Sequence, residues 1–221
     1  MNPLVALWEY RSAFWMGFSV TVQLLLFSSV VGTILALLLE WLCGQVEGLA
    51  RWTSNAVAFC LTAIPALVVL YWFHYPAQAL LGIVVPPFFT ALLTLTLINT
   101  LAIYRIVSDA IKEFPKQYTA TGLVCGLLPR QILWHIQIPI LIRAIVPRWI
   151  DQQVVILHTT LLASFISVEE TFRVAQRINS VVYQPVAIYT SMALIFLCSA
   201  GSAMYYANFL RKKYQRDFSE R

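Results

Sequence analysis

Charged side chains are scarce in this sequence. Only 11% of its 221 residues are Asp, Glu, Lys or Arg, whereas a soluble domain carries about 25%. Apolar and aromatic residues make up 60% of the chain and fall in long blocks. This composition excludes an ordinary soluble enzyme and predicts one domain embedded in a membrane.

Residues that carry catalysis or bind metals are also few. Cys43, Cys60, Cys125 and Cys198 lie far apart without a C-x-x-C pair, which argues against a disulfide framework or a zinc site. Three histidines and ten acidic residues form no H-E-x-x-H, paired-carboxylate or Ser/His/Asp pattern. No phosphate-binding G-x-x-x-x-G-K-[ST] loop is present either. We therefore predict no catalytic residue, no metal site and no cofactor in this chain.

Five apolar blocks are each long enough to approach the roughly 20 helical residues that cross a bilayer. We predict spans at about residues 14–42, 56–73, 86–107, 145–168 and 186–210. The fourth is the most polar, because it contains Arg148, Asp151, Gln152, Gln153 and His158. The first lacks a basic leader and an A-x-A cleavage site, which favours a retained span over a signal peptide. The expected fold is an all-α membrane protein with five transmembrane helices.

The distribution of positive charge predicts the orientation. With five spans, all Lys and Arg residues except Arg11, Arg173 and Arg177 fall on the side of the C-terminus. Because basic residues accumulate in cytoplasmic segments, we predict an outside N-terminus and a cytoplasmic C-terminus. The basic residues flank apolar blocks rather than forming a stripe between aromatics, so we predict no nucleic-acid binding.

The longest predicted cytoplasmic segment, residues 108–143, has a pattern of its own. Residues 118–124 are predicted to form a short helix that Gly126 ends and that Pro129 cannot continue. A second helical stretch, residues 131–138, is predicted to end near Pro139. This spacing fits two structures equally well: a docking surface for a soluble partner, or a plain hairpin that connects two spans.

This segment resembles the permease subunits of bacterial ABC importers, in the polar amino-acid uptake group. The family carries E-A-A, three residues, then G-L, with a proline about a dozen residues later. Here Ala120-Thr121-Gly122 precede Gly126-Leu127, with Pro139 thirteen residues after the glycine. Further parts of the chain match the family in the same order. Gly17 and Thr21 fit a G-x-x-x-T motif in the first span, and residues 62–69 fit a segment centred on a proline. Residues 158–164 fit a run that enters the fourth span.

The sequence departs from the family at several polar positions. Ala120 replaces the motif glutamate, and Thr121 and Gly122 replace its alanines. The other departures are Thr62 for arginine, Val69 for glutamine, Arg105 for glutamate, Asp151 for asparagine and His158 for lysine. Either a second, different permease subunit carries the standard residues, or the substrate has diverged.

The resemblance implies the type I importer fold and a multi-subunit machine in the bacterial inner membrane. Two permease subunits, alike or different, would enclose the pathway within the lipid. A pair of ATPase subunits would hold ATP and Mg²⁺, and a periplasmic binding protein would deliver a polar amino acid or related solute. The residues implied to contact the ATPase are Tyr118, Thr119, Ala120, Thr121, Gly122, Leu123, Gly126, Leu127 and Pro129.

Four residues are candidates for the substrate pathway: Asn99, Asp151, His158 and Thr160. Asp151 and His158 are two helical turns apart and share one face, and ionisable residues inside a span are usually functional or paired. The alternatives are an ion pair of Asp151 with Arg148, a structurally hydrogen-bonded His158, and an interhelical hydrogen bond from Asn99.

Two further hypotheses remain from the sequence. The mixed charges of Glu169, Glu170, Arg173 and Arg177 suit either a contact with the binding protein or a solvated outside loop. For the whole chain, the alternative to an importer subunit is a membrane scaffold whose cytoplasmic hairpin binds a partner other than an ATPase.

Overall fold

The computed structural model describes residue 5, residues 8–44 and residues 63–219, with side chains up to residue 214. Nine α-helices lie within these ranges: α1 (Arg11–Gly44), α2 (Ala66–His74), α3 (Pro76–Leu81), α4 (Pro87–Lys112), α5 (Lys116–Val124), α6 (Pro129–Ile132), α7 (Ile138–Thr159), α8 (Thr171–Val182) and α9 (Pro185–Ser219). A π-helical turn, Leu133–Gln137, joins α6 to α7, and a 3₁₀ helix, Thr160–Ile166, extends α7. The prediction of an all-helical fold is confirmed.

Within the described ranges, α1, α4 and α9 are each long and apolar enough to cross a membrane. They coincide with the predicted first, third and fifth spans. Pro129–Ile166 and α8 taken together also have the length and apolar composition of a crossing, but they meet at a bend of 52°, as in a broken span or a re-entrant loop. The predicted second span begins at residue 56, outside the described residues, and its described part belongs to the shorter apolar segment Ala66–Leu81.

The long helices pack closely around a small interior. α1 packs mainly on α4, and α7 lies against both α4 and α9. Close approach of α1 to α4 depends on Gly32, where a Cβ atom would lie 3.1 Å from the Asn99 side chain. On its other side α1 leaves Phe27, Val30 and Ile34 exposed. Such a surface is suited to lipid or to a partner helix rather than to water.

The predicted helix end at Pro139 is wrong. The chain runs through this proline into α7 by way of the π-helical turn, in which the N–H of Ile138 donates to the carbonyl of Leu133. In a regular α-helix, a proline has no N–H to donate and its ring collides with the carbonyl four residues earlier. The wider π-helical turn moves that carbonyl aside. The proline therefore alters the helix locally without ending it.

Candidate functional site

The segment between α4 and α7 folds into a tight helical hairpin, residues 116–137. Gly122 of α5 is buried, and a Cβ atom there would lie 2.9 Å from Cγ1 of Ile132. Further along, the Gln137 side-chain amide donates to the Thr119 hydroxyl at 3.2 Å. The two arms of the hairpin are therefore in direct contact, and Gly122 is the residue whose small size allows it.

A Schellman motif ends the first arm. Gly126 has φ of +76°, and its N–H donates to the carbonyl of Leu123 at 3.0 Å. The N–H of Leu127 reaches back to the carbonyl of Gly122, also at 3.0 Å. This bonding pattern with a left-handed glycine satisfies the last carbonyls of a helix. The predicted short helix and its glycine stop are present in the structure.

Large apolar side chains remain exposed at the turn of the hairpin and beside it. Val124 is 88% exposed, Leu128 65%, Trp134 59% and Leu123 55%. We call these four residues the hairpin tip. Several apolar side chains left exposed in one short segment are typical of a surface that another chain covers.

The nine residues that the resemblance implies to contact the ATPase differ in how far they are buried. Gly122 is buried, Tyr118, Thr119 and Leu127 are half-buried, and Ala120, Thr121, Leu123, Gly126 and Pro129 are exposed. Thr119 and Gly122 hold the hairpin together. The exposed residues are those accessible to a partner. Val124, Leu128 and Trp134 were not among the predicted contacts, because the family motif specifies no residue type at their positions.

A second region of interest is a polar seam between α1, α4 and α7. Its members are Ser28, Ser29, Thr33, Asn99, Trp149 and Gln153. The Asn99 amide donates to the backbone carbonyl of Ser28 at 3.1 Å and to Oε1 of Gln153 at 3.3 Å. The hydroxyl of Ser29 donates to the same Oε1 at 2.5 Å. One glutamine side chain therefore connects α7 to both neighbouring helices.

Asn99 forms interhelical hydrogen bonds within the seam, as its position in an apolar span predicts. Asn99 is completely buried, and the Trp149 indole donates to Thr33 at 3.0 Å beside it. The Oδ1 atom of Asn99 has no partner among the described residues. Ser28 and Ser29 were missed from the sequence, although a serine pair four and three residues before Gly32 in a long apolar span was a usable signal.

The alternative ion pair predicted for Asp151 has a different partner. Asp151 bonds to Arg211 of α9, whereas Arg148 bonds to Glu113 at 3.0 Å. Because α9 continues beyond the predicted span end at residue 210, it brings Arg211 alongside α7. Both side chains of the Asp151–Arg211 pair remain about 40% exposed.

The other pathway candidates lie in different surroundings. His158 is exposed, with its ring 6.2 Å from that of Phe196. Thr160 is fully buried, and its hydroxyl donates to the carbonyl of Leu157 at 2.7 Å. In the described part of the chain, no hydrogen bond or ion pair joins any two of Asn99, Asp151, His158 and Thr160. Their contact with substrate stays a prediction.

The predicted outside segment is a helix with a buried start, not a loop. The Glu170 carboxylate caps α8 by accepting from the N–H groups of Phe172 and Arg173, each at 2.9 Å. Burial raises the pKa of Glu170 to about 7, although these two hydrogen bonds oppose the rise. Glu169, in contrast, is exposed and pairs with Arg177 at 3.1 Å. The four charges therefore do not act as one solvated group.

The G-x-x-x-T motif of α1 explains why Glu170 is buried. The Thr21 hydroxyl lies 2.7 Å from that of Thr171. A Cβ atom at Gly17 would lie 2.8 Å from the Val174 side chain and 3.2 Å from the backbone of Glu170. The motif thus holds the start of α8 directly against α1.

The chain resembles permeases of bacterial solute-transport systems in both sequence and fold. It is 26% identical over 204 residues to the octopine transport system permease protein OccM of Rhizobium meliloti, covering 89% of this chain and 83% of that protein. It is 24% identical over 195 residues to the glutamine transport system permease protein GlnP of Escherichia coli K12, covering 84% and 89%. No family profile matches the chain.

The similarity extends to a solved structure along nearly its whole length. A crystal structure of an amino acid ABC transporter with histidines superposes with a TM-score of 0.84 at 17% identity, covering 95% of this chain and 97% of that one. The inward-facing MetNI methionine ABC transporter superposes with a TM-score of 0.68 at 15% identity. The resemblance to permease subunits of amino-acid ABC transporters is therefore confirmed. Those relatives are membrane components and not enzymes; a separate subunit hydrolyses ATP.

Proposed function

We propose that this chain is the transmembrane subunit of an ATP-driven importer for a polar amino acid or a related small solute. The hairpin carries the proposal, because an exposed apolar tip stands where the resemblance expects the contact with an ATPase. A pair of ATPase subunits would bind there and supply ATP and Mg²⁺. A periplasmic binding protein would deliver the solute from the other side, and a second permease subunit, alike or different, would complete the pathway.

The proposal includes a topology of five spans in the bacterial inner membrane, with the N-terminus outside and the hairpin in the cytoplasm. The second span would comprise the segment Ala66–Leu81 together with residues before it. Support comes from the distribution of Lys and Arg residues, which is the one expected if the hairpin and the basic end of α9 both face the cytoplasm.

The internal bonds of the hairpin suit it to transmit force. Gly122 packs on Ile132 and Thr119 bonds to Gln137, so the two arms move together. The hairpin continues directly into α4 and α7, which the polar seam joins to α1. When ATP binding brings the ATPase subunits together, a pull on the hairpin would tilt these helices as one body. Rigid-body movement around a midplane site is a common transporter mechanism.

Co-purification with an ABC ATPase encoded beside the chain tests the proposal. Val124→Glu places a charge on the hairpin tip at a position that is 88% exposed, so folding is preserved and we expect at least a tenfold loss of bound ATPase. Val181→Glu, on α8 and 76% exposed, is the matched control and retains the ATPase. Equal retention by both variants would contradict the coupling role and favour the scaffold alternative.

The solute is the less defined part of the proposal. The relatives named above are transport permeases for octopine and glutamine, and the polar positions Asp151 and His158 depart from the family pattern. We propose a polar amino acid or an amino-acid derivative. Mass spectrometry of ligands that co-purify with the cognate binding protein identifies the solute; a sugar or a metal ion in that pocket would contradict the assignment.

A further inference from the structure

A cavity of about 370 Å³ lies where the hairpin, α7 and the end of α9 meet. Three arginines line it: Arg143 and Arg148 from α7 and Arg211 from α9. The rest of the wall is mainly apolar or aromatic and includes Tyr118, Ile140, Ala144 and Pro147. The cavity thus combines positive charge with a wall suited to hydrocarbon.

The three arginines differ in their partners. Arg148 pairs with Glu113 and Arg211 pairs with Asp151. Arg143 is half-buried and makes no hydrogen bond or ion pair within the described part of the chain. A guanidinium that is partly removed from water without a counter-charge is costly. Among the residues whose side chains the structure describes, Arg143 therefore brings to the cavity a positive charge without a counter-charge and a set of unused donors.

The position of the apolar wall indicates which kind of anion fits. Arg143 and Ala144 lie three and four residues after Ile140, and Pro147 lies four and three residues after them, so these residues share one face of α7. On this face a charged donor is flanked by side chains that favour an acyl chain. Basic pockets between spans on the cytoplasmic side are suited to anionic lipid headgroups, and a guanidinium binds a phosphate group through two parallel hydrogen bonds.

We propose that this cavity binds the phosphate of an anionic phospholipid through Arg143, with an acyl chain along Ile140, Ala144 and Pro147. The site rests on the proposed function, which places the cavity at the cytoplasmic boundary of the membrane. Because Tyr118 belongs to the hairpin and lines the same cavity, the bound lipid would brace the hairpin against α7. The composition of the inner leaflet would then affect how ATPase movement reaches the spans.

Direct binding to the purified full-length chain in detergent tests the site. The probes are phosphatidylglycerol, phosphatidylcholine with the same acyl chains, and inorganic phosphate, each titrated by microscale thermophoresis. We expect saturable binding of phosphatidylglycerol only. Arg143→Gln weakens this binding about tenfold or more. Lys213→Gln removes an exposed charge two residues beyond Arg211 and changes the affinity less than twofold.

The variant Arg143→Lys distinguishes a loss of the binding site from a loss of folding. It keeps the charge without the planar donor fork, so binding is expected to fall between wild type and Arg143→Gln while the melting temperature is unchanged. Saturable binding of inorganic phosphate with the same dependence on Arg143 would overturn the lipid assignment and support an anion site for a soluble phosphate. Equal binding of both lipids, or equal losses in Arg143→Gln and Lys213→Gln, would overturn the site itself.

These outcomes are separate from those that test coupling. Lipid binding is measured on the chain alone, whereas ATPase association is measured on the complex with the Val124→Glu variant. If Arg143→Gln leaves lipid affinity unchanged while Val124→Glu abolishes ATPase association, the lipid site fails and the importer proposal stands. The reverse pair of results rejects the coupling role and retains the site.

Discussion

The buried Nδ2 atom of Asn99 lies 3.3 Å from Oε1 of Gln153, and this bond joins α4 to α7 inside the helix bundle. Gln153 also accepts from Ser29 of α1, so three long helices meet at one amide. In an apolar interior such bonds fix the rotation of each helix about its axis. The hairpin between α4 and α7 is therefore attached to helices in a defined register.

Removing the side-chain amide of Asn99 is expected to loosen the bundle. Asn99→Ala loses two interhelical hydrogen bonds and leaves a small void, which we expect to lower the free energy of unfolding by about 2 kcal/mol. Asn208→Ala, at an exposed position of α9, serves as the control and changes stability by less than about 0.5 kcal/mol. Thermal unfolding in detergent measures both; equal melting temperatures would show that the seam adds no stability.

The packing of the hairpin predicts a rescue experiment. Gly122→Leu forces a side chain into Ile132, so we expect the arms to separate and ATPase association to fall severalfold. The double variant Gly122→Leu with Ile132→Ala opens space and recovers much of that association. Gly201→Leu on α9, where a Cβ atom meets nothing within 4 Å, is the control. Failure of Ile132→Ala to improve on Gly122→Leu would mean that these two residues do not set the spacing of the arms.

The buried cap of α8 predicts a pH dependence. Burial raises the pKa of Glu170 from 4.5 to about 7, so between these values the folded chain holds a proton that the unfolded chain releases. This contribution to stability is complete below pH 4.5 and is lost as the pH rises to about 7. Its size is on the order of 3 kcal/mol.

Glu170→Gln removes this proton and should flatten the dependence of stability on pH. Denaturant or detergent unfolding between pH 4.5 and 8 measures the slope. Glu169→Gln changes an exposed neighbour that pairs with Arg177 and keeps the wild-type slope. If wild type and Glu170→Gln lose stability in parallel over this range, Glu170 is not the group responsible.

The Asp151–Arg211 pair is expected to contribute little to stability. Both side chains are about 40% exposed, and ion pairs of this kind are worth roughly 0–1 kcal/mol. A double-mutant cycle with Asp151→Asn and Arg211→Gln measures the coupling energy. A value above about 2 kcal/mol would indicate a buried structural pair instead. Should Asp151→Asn alter uptake while this coupling stays small, its assignment to the substrate pathway gains support.

Features that depend on residues close together along the chain could be predicted from the sequence. The apolar blocks gave α1, α4 and α9 because span length and hydropathy are local properties. Gly126 was found as the stop of α5 because a left-handed position selects glycine whatever lies around it. Pro139 shows the limit of such rules, since the π-helical turn before it removes the clash that ends most helices.

Features that depend on contacts between distant helices could not be predicted. Asp151 pairs with Arg211 only because α9 continues past the predicted span and crosses α7. Gln153 reaches Ser29 only at the observed rotation of α1. Both hypotheses for the outside segment, a contact with the binding protein and a solvated loop, treated Glu170 as accessible. Its burial follows from the contact of Gly17 with the start of α8. These relationships depend on packing that the spacing of residues along the chain does not encode.

ATP-dependent uptake tests the central claim most directly. The chain would be reconstituted in proteoliposomes with its ATPase, its partner permease subunit if there is one, and the binding protein loaded with the solute found in it. We expect uptake that requires ATP, is abolished by Val124→Glu and is preserved by Val181→Glu. Uptake that continues at the wild-type rate in Val124→Glu, or without ATP, would contradict the account.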